Sequence, residues 1–244
     1  MTITSTTSPR TNNGQIKTRV VFFDMDHTIV DISPFHRKNF LYVLNRLFGI
    51  TELIPVVTSG YPMFEVMRRF AVASGISEGS VNAKKNEIER LLVENIQTIL
   101  PQDLNDFILP GTVKLLESLH ANKIPVGLTT GSLRGIASQV LSRAGLLGYF
   151  PLTSFGDDCD QREQIIDRGL EKATWVYGLA RESIDLVTVG DAPMDIQAGK
   201  AFHAITIAVA NGVYSELELK SHAPDYVFPN LQDTQAILDA ITLG

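Results

Sequence analysis

The sequence has 244 residues, of which 44% are hydrophobic, and it carries a formal net charge of -6. That length allows one large domain or two smaller ones around a sizeable core. The acidic balance disfavours a nucleic-acid partner, and no apolar run reaches the roughly 20 residues that a membrane-spanning helix needs. The single cysteine, Cys159, excludes an internal disulfide and fits a reducing compartment, so a cytoplasmic location is expected.

The first 18 residues are rich in Ser, Thr and Asn and contain no acidic residue. They also lack the apolar stretch of a signal peptide. This composition predicts a disordered tail over residues 1–18. A transit peptide is the alternative, because such segments are also rich in Ser and poor in acidic residues.

Short β-rich runs alternate with helical patterns over most of the chain. Runs without polar alternation are typical of parallel strands that are buried on both faces. Strands are predicted over residues 20–23, 125–129, 150–155, 184–189, 204–209 and 226–228, the last at a sheet edge. Helices are predicted over residues 112–121, 133–144, 162–177, 194–202 and 231–241. The alternation predicts an α/β fold with a Rossmann-like, three-layer core, in which helices cover both faces of a parallel sheet.

A stretch of about 78 residues after the first strand does not follow this alternation. Ser33 as N-cap and Pro34 at the first helical position predict a helix over residues 35–48. Two further helices are predicted over residues 62–73 and 80–100. The predicted organisation is an α/β core over residues 19–31 and 110–244, with an all-helical cap domain inserted over residues 32–109.

Polar residues follow the predicted strands at their carboxyl ends. Asp24 and Asp26 come directly after the first strand, and Thr130 comes after the second. Asp191 follows the fourth strand, and Arg162 begins the helix before that strand. Because ligands bind at the carboxyl ends of parallel strands, we expect these residues to converge in one crevice, together with Asp195, Gly131 and Ser132.

This set of side chains suggests metal-assisted phosphate chemistry. Several carboxylates in one crevice repel each other unless a cation lies among them, and hard oxygen ligands favour Mg²⁺. The Thr130 hydroxyl and the N–H groups of Gly131 and Ser132 at a helix start predict a phosphate pocket, with the Arg162 guanidinium as a further donor. One carboxylate would then attack phosphorus while its neighbour moves protons.

The motifs occur in the order known from the haloacid dehalogenase superfamily: Asp24-x-Asp26-x-Thr28, Thr130, a basic residue, then Asp191 with Asp195. The chain resembles the phosphatase branch of that superfamily over about residues 18–242, and the helical insertion lies where the family has a C1-type cap. The resemblance implies that Asp24 is the nucleophile and that Asp26 is the general acid and then the base. It implies that Thr130 holds the transferring phosphoryl group.

The resemblance also implies Mg²⁺ as the cofactor, held by Asp24, the backbone carbonyl of Asp26 and Asp191. Asp195 would be a ligand or a residue that orients one. The family usually has a Lys in the third motif, and here Arg162 takes its place, with Lys172 as the rival. The family usually has a Gly after Asp26. Here it is His27, and either the backbone tolerates a side chain or His27 lines the entrance and tunes Asp26 or the leaving group.

Specificity is expected to come from the cap domain. His36 and Tyr61 are predicted to bind substrate from the cap, together with His27, Thr130, Gly131 and Ser132. In related phosphomutases a His at the place of His36 links cap closure to the second aspartate, but Ile32 stands where those proteins have a Thr.

The leading hypothesis is a Mg²⁺-dependent phosphatase of a small phosphomonoester, resembling phosphoglycolate phosphatases. The alternatives are a sugar-phosphate mutase of the β-phosphoglucomutase type and a non-catalytic protein that binds a phosphometabolite. The expected partner is a small phosphorylated metabolite, with no nucleic acid and no membrane, and the expected state is a monomer or a homodimer.

Overall fold

The computed structural model describes residues 11–12, 15–157 and 159–244. The strands are β1 Thr11–Asn12, β2 Gln15–Ile16, β3 Thr18–Phe23, β4 Val126–Thr129, β5 Leu152–Ser154, β6 Ile184–Gly190, β7 Ile205–Val209 and β8 Tyr226–Phe228. The helices are α1 Ser33–Phe48, α2 Met63–Ala73, α3 Glu78–Asn82, α4 Lys85–Ile99, α5 Thr112–Ala121, α6 Arg134–Arg143, α7 Arg162–Tyr177, α8 Pro193–Ala201, α9 Glu216–Ser221 and α10 Thr234–Leu243. Among these described residues, no helix combines the length and apolarity needed to cross a membrane.

The main sheet has six parallel strands in the order β5-β4-β3-β6-β7-β8. Strand β3 lies between β4 and β6, so that Phe23 pairs with Leu128 on one side and Val189 on the other. The apolar run that ends β3 is fully buried, because helices cover both faces of the sheet. This arrangement confirms the predicted α/β class with a parallel core.

Most of the predicted tail lies outside the described residues. In the part of the tail that the structure describes, β1 and β2 form a short antiparallel pair, with Thr11 opposite Ile16. Strand β3 begins at Thr18, which is the last residue of the predicted tail. The tail therefore stays a prediction for residues 1–10 and 13–14.

The helical insertion, residues 32–109, shares one hydrophobic core with the sheet rather than forming a separate one. Helix α1 packs on α4, where the buried Asn39 Nδ2 donates to Leu92 O at 2.9 Å. In α6, Arg143 Nη1 donates to Leu100 O at 2.7 Å. This hydrogen bond connects the end of the insertion to the α/β core. The division into a core and a cap domain remains a prediction.

One predicted helix of the insertion is wrong. The stretch 80–100 forms two helices, α3 and α4, that are separated by Ala83 and Lys84. Val81 and Ile88 are both fully buried, so the apolar pattern continues through the break. Since no Gly or Pro marks this break, the pattern alone predicted a single helix.

Two helix starts also differ from the sequence prediction. Ser33 is the first residue of α1 rather than its N-cap, and both its N–H and its hydroxyl donate to Asp31 Oδ1. Helix α9 was not predicted, although Ser215 and Glu218 form a reciprocal capping box at its start. A Ser followed three residues later by Glu is the sequence signal that would have located this helix.

Candidate active site

Three buried carboxylates meet at the carboxyl edge of the sheet. The carboxylate oxygens of Asp24 after β3, Asp191 after β6 and Asp195 in α8 lie within 4.8 Å of one another. Asp195 Oδ2 also accepts a hydrogen bond from the Ala192 N–H at 3.1 Å, which stabilises the start of α8. The structure therefore brings together three residues that sequence reasoning placed in one crevice.

Arg162 supplies the cation of this cluster. Its Nη2 donates to Asp24 Oδ1 at 2.5 Å and to the carbonyl of Thr129 at 2.8 Å. The same nitrogen forms an ion pair with Asp195 at 2.9 Å, although Asp195 Oδ1 accepts no hydrogen bond. The predicted rival, Lys172, points elsewhere, because its Nζ donates to Thr153 O at 2.7 Å. Arg162, rather than Lys172, therefore lies against the carboxylates.

The electrostatics of the cluster favour a second cation. Burial raises the pKa of Asp24 to about 7, although Arg162 opposes the shift. Burial, with Asp195 and Asp24 nearby, raises the pKa of Asp191 well above its usual value. Asp191 Oδ2 is buried without a hydrogen-bond partner. Gly212 lies beside this oxygen, and a Cβ at that position would be 2.0 Å from Oδ2, so only a glycine leaves the space next to it open. An all-oxygen donor set in which Asp191 Oδ2 has no hydrogen-bond partner fits Mg²⁺.

The raised pKa of Asp24 makes a prediction about stability without added cations. The folded state holds this proton more tightly than the unfolded chain, whose carboxyl has a pKa of 3.8. The stability gained is therefore complete below about pH 4 and is lost as the pH rises through about 7. Thermal unfolding in EDTA should show a melting temperature that falls over this range, and Mg²⁺ should restore it most at about pH 8.

The control for this prediction is the variant Asp24→Asn, which cannot titrate at this position. Its melting temperature in EDTA should depend less on pH over the same window than that of the wild type. A melting temperature of Asp24→Asn that depends on pH as strongly as that of the wild type would contradict the assignment of a raised pKa to Asp24.

Asp26 lies beside the cluster and faces the helical insertion. Its Oδ1 is 3.0 Å from His36 Nε2 on α1, and its side chain is 27% exposed. The His36 ring is buried and stacks on Phe40, with ring centroids 5.5 Å apart. His36 of the insertion therefore holds the Asp26 side chain, which stays accessible to a ligand.

His27 has the backbone conformation that usually selects glycine, with φ at 57°. Its Nδ1 lies 3.6 Å from Asp31 Oδ1, and its side chain lines the cavity described below. Backbone strain and a position in the cavity wall therefore occur together at His27.

The turn after β4 differs locally from its prediction. Helix α6 begins at Arg134, with Leu133 before it, so Gly131 and Ser132 do not lie at a helix start. The Ser132 N–H instead donates to Thr130 Oγ1 at 3.1 Å. The Ser132 hydroxyl is buried without a hydrogen-bond partner and is therefore free to donate to a ligand.

A cavity of about 460 Å³ joins these groups. It is lined from the core by Asp24, Asp26, His27, Thr130, Gly131, Ser132, Arg162 and Asp191, and from the insertion by residues that include His36 and Tyr61. Asp195 does not line it and lies behind Arg162. Gly212 was not predicted as a site residue. It follows β7, and the rule that ligands bind at the carboxyl ends of parallel strands would have located it.

The insertion rests directly on the turn after β4. Met63 N–H donates to Gly131 O at 2.8 Å. A Cβ on Gly131 would lie 2.5 Å from Tyr61 O, and a Cβ on Gly60 would lie 2.5 Å from Met194 Cβ. The insertion thus meets the core at two close contacts, one at Gly131 and one at Gly60, and each leaves room only for a glycine.

We expect Gly131→Ala to lower kcat/KM by roughly tenfold to a hundredfold, because the new methyl group must push the Tyr61 carbonyl away from the turn. Gly148→Ala is the matched control, since a Cβ there meets nothing within 4 Å. Steady-state kinetics with p-nitrophenyl phosphate measure both variants. Equal kcat/KM in Gly131→Ala and Gly148→Ala would show that this contact does not shape the site.

Comparison with known proteins identifies the family. Residues 21–209 match the model of haloacid dehalogenase-like hydrolases. The chain belongs to the haloacid dehalogenase-like hydrolase family. This membership confirms both the predicted family and the predicted hydrolase class.

Curated relatives and solved structures agree with this assignment. The chain is 26% identical over 183 residues to fructose-1-phosphate phosphatase YqaB of Escherichia coli, which covers 74% of this chain and 90% of that protein. It is 22% identical over 230 residues to pyrophosphatase PpaX of Listeria monocytogenes, covering 92% and 97%. The structure of a β-phosphoglucomutase from Clostridium difficile superposes with a TM-score of 0.68 at 18% identity, covering 92% of this chain and 97% of that one, which supports the fold.

Proposed function

We propose that this protein is a Mg²⁺-dependent phosphatase that hydrolyses a small phosphomonoester through an aspartyl-phosphate intermediate. The observation that carries the proposal is the cluster of Asp24, Asp191 and Asp195 with Arg162, which opens on one cavity beside Asp26. The curated relatives are phosphatases and a pyrophosphatase, and their names support phosphoester hydrolysis as the reaction class.

Asp24 is the proposed nucleophile. One of its carboxylate oxygens bonds to phosphorus as the bond from phosphorus to the ester oxygen breaks, so the phosphoryl group passes to Asp24. Arg162 Nη2, 2.5 Å from Asp24 Oδ1, holds that carboxylate in place. Bound Mg²⁺, held by Asp24, Asp191 and the carbonyl of Asp26, would neutralise charge on the carboxylates and the phosphate. Thr130 and the unpartnered Ser132 hydroxyl would hold phosphoryl oxygens.

Asp26 is the proposed proton carrier. Its carboxyl would give a proton to the departing ester oxygen and would later take one from the water that attacks the phosphoryl group on Asp24. His36 would position Asp26 through the contact of 3.0 Å to Oδ1. The products are then inorganic phosphate and an alcohol, and Asp24 returns as a free carboxylate.

The helical insertion, residues 32–109, is the proposed cap over this site, on a core formed by residues 19–31 and 110–244. The contact of Tyr61 and Met63 with Gly131 supports that role, since all three residues line the cavity and the contact joins the insertion to the core there. A cytoplasmic location and a monomeric or homodimeric state stay predictions from the sequence.

A mutase is the second candidate, and the contact between His36 and Asp26 favours it. The structure from Clostridium difficile is titled a β-phosphoglucomutase, and the two folds agree. Incubation with a hexose 1-phosphate separates the two functions. A mutase would accumulate the isomeric hexose phosphate, whereas the phosphatase releases inorganic phosphate.

The proposed function is tested by phosphate release from a panel of phosphomonoesters, with Mg²⁺ and with EDTA. We expect turnover that needs Mg²⁺. A chain that binds these esters in calorimetry but releases no phosphate from any of them would be the non-catalytic binder instead.

A further inference from the structure

The cavity continues from the carboxylates into the helical insertion, where its wall becomes apolar. Five buried side chains from α1, α2 and the segment between them line that part: Phe40, Leu53, Met63, Val66 and Phe70. The cavity volume of about 460 Å³ falls within the range of small-molecule sites and exceeds what a phosphate alone would fill. The apolar part is therefore the space available to the alcohol half of a bound ester.

An aromatic row connects the proposed proton carrier to this apolar wall. The His36 ring bonds to Asp26 and stacks on Phe40, with the two ring planes inclined by only 16°. Phe40 in turn packs against Phe70, with centroids 6.0 Å apart. Asp26 marks where the ester oxygen departs, so the carbon skeleton attached to that oxygen begins beside this row.

Polar side chains of the insertion also line the cavity, and two of them are already engaged. His36 bonds to Asp26, and the Ser33 hydroxyl donates to Asp31. Arg69 lies over the face of the Tyr61 ring at 3.7 Å but does not itself line the cavity. The Tyr61 hydroxyl, Arg37, Thr58 and Ser59 complete the polar lining, and Arg37 is exposed.

The five apolar side chains of this wall would not satisfy a sugar, because they carry no hydroxyl, amide or charged group. Each hydroxyl group that enters an apolar space without a hydrogen bond costs binding free energy, on the order of 1–3 kcal/mol. A carboxylate placed against this wall, away from Arg37, would lose more, because burying an unpaired charge is costlier still. An aliphatic or aromatic group instead gains from every apolar contact with the wall.

We propose that the substrate is a phosphomonoester of a predominantly apolar alcohol, either aliphatic or aromatic, whose carbon skeleton packs on Phe40, Leu53 and Phe70. The inference rests on the proposed phosphatase function and specifies the substrate class of the same site. The alcohol leaves with the proton from Asp26, as in the general scheme.

The test is a series of straight-chain alkyl phosphates from methyl to heptyl phosphate, with fructose 1-phosphate and phosphoglycolate as polar comparisons. From ethyl phosphate onward the leaving groups have nearly equal chemical reactivity, so differences in kcat/KM report binding by the cavity. We expect kcat/KM to rise by up to about fourfold per added methylene until the cavity is filled. The longer alkyl esters should also exceed both polar comparisons.

Leu53→Asn and Ile54→Asn are the matched variants. Leu53 lines the cavity and is 6% exposed, whereas its neighbour Ile54 does not line it and is 44% exposed. Leu53→Asn should reduce the ratio of kcat/KM for heptyl over ethyl phosphate at least about fivefold, and Ile54→Asn should leave it unchanged. Because the ratio is taken within one protein sample, partial unfolding of a variant cancels.

The outcomes distinguish this inference from the proposed function. Turnover with no dependence on chain length, or with a preference for either polar ester, overturns the apolar substrate while the phosphatase stands. A wild-type chain-length dependence that Leu53→Asn leaves intact also overturns the assignment of the apolar wall. Absence of phosphate release from every ester overturns both the proposed function and the inference.

Discussion

Asp24→Asn is expected to slow phosphate release by roughly 10⁴-fold or more, because the amide cannot attack phosphorus as a carboxylate does. The substitution keeps the size of the side chain and removes one of three buried carboxylates that lie within 4.8 Å of one another. Steady-state phosphate release with Mg²⁺ measures the loss. Asp167→Asn, in an exposed ion pair with Arg181, is the matched surface control and should keep wild-type activity.

A stability measurement separates this loss from misfolding. Burial already disfavours the charged form of Asp24, so its replacement by a neutral amide removes an unfavourable charge from the cluster. We expect Asp24→Asn to melt at the same temperature as the wild type or higher, at about pH 8 in EDTA. Activity within tenfold of wild type in this variant would rule out Asp24 as the nucleophile.

Arg162→Met should have the second-largest effect, on both stability and rate. Removing the guanidinium leaves Asp24 and Asp195 buried without their cation, which costs about 3–5 kcal/mol in the free energy of unfolding without added metal. The rate should fall by roughly 10³-fold, because the nucleophile is no longer held in place. Urea unfolding and phosphate release measure the two effects.

Arg162→Lys should behave very differently from Arg162→Met. All three contacts of the guanidinium to Asp24, Asp195 and the Thr129 carbonyl pass through Nη2 alone, and Nε is buried without a hydrogen-bond partner. This arginine therefore acts through one nitrogen, as a lysine would. We expect Arg162→Lys to keep activity within about tenfold of wild type, since one charged nitrogen can replace Nη2.

Lys172→Met is the control for the choice of basic residue. Lys172 Nζ donates to the Thr153 carbonyl and lies 6.0 Å from the centre of the Phe155 ring, away from the carboxylates. Its removal should change kcat/KM less than about threefold. A larger loss in Lys172→Met than in Arg162→Met would reverse the assignment of the third motif.

The sheet was predictable because its strands are short apolar runs without polar alternation. Such runs are buried on both faces of the sheet, as Phe22 and Phe23 are. The break between α3 and α4 was not predictable in this way, because Val81 and Ile88 keep one apolar face through it. The capping box at Ser215 is a local signal for the start of α9, and a prediction made from hydrophobic periodicity alone does not detect it.

The convergence of Asp24, Asp191 and Arg162 followed from a topological rule, since each lies at or near the carboxyl end of the sheet. The docking of the insertion did not follow from any local pattern. The fit of Tyr61 O against Gly131 depends on the packing of elements about 70 residues apart in the chain. For the same reason, the apolar wall formed by Phe40, Leu53 and Phe70 emerges only from the three-dimensional structure.

Covalent trapping of the intermediate tests the proposed mechanism most directly. Acid quenching during the first turnover, followed by trypsin digestion and mass spectrometry, examines the peptide of residues 20–37, which contains Asp24. The mechanism predicts that this peptide carries one phosphoryl group, that fragmentation assigns it to Asp24, and that Asp24→Asn lacks it. Rapid phosphate release with no phosphoryl group on this peptide at any quench time would contradict the mechanism.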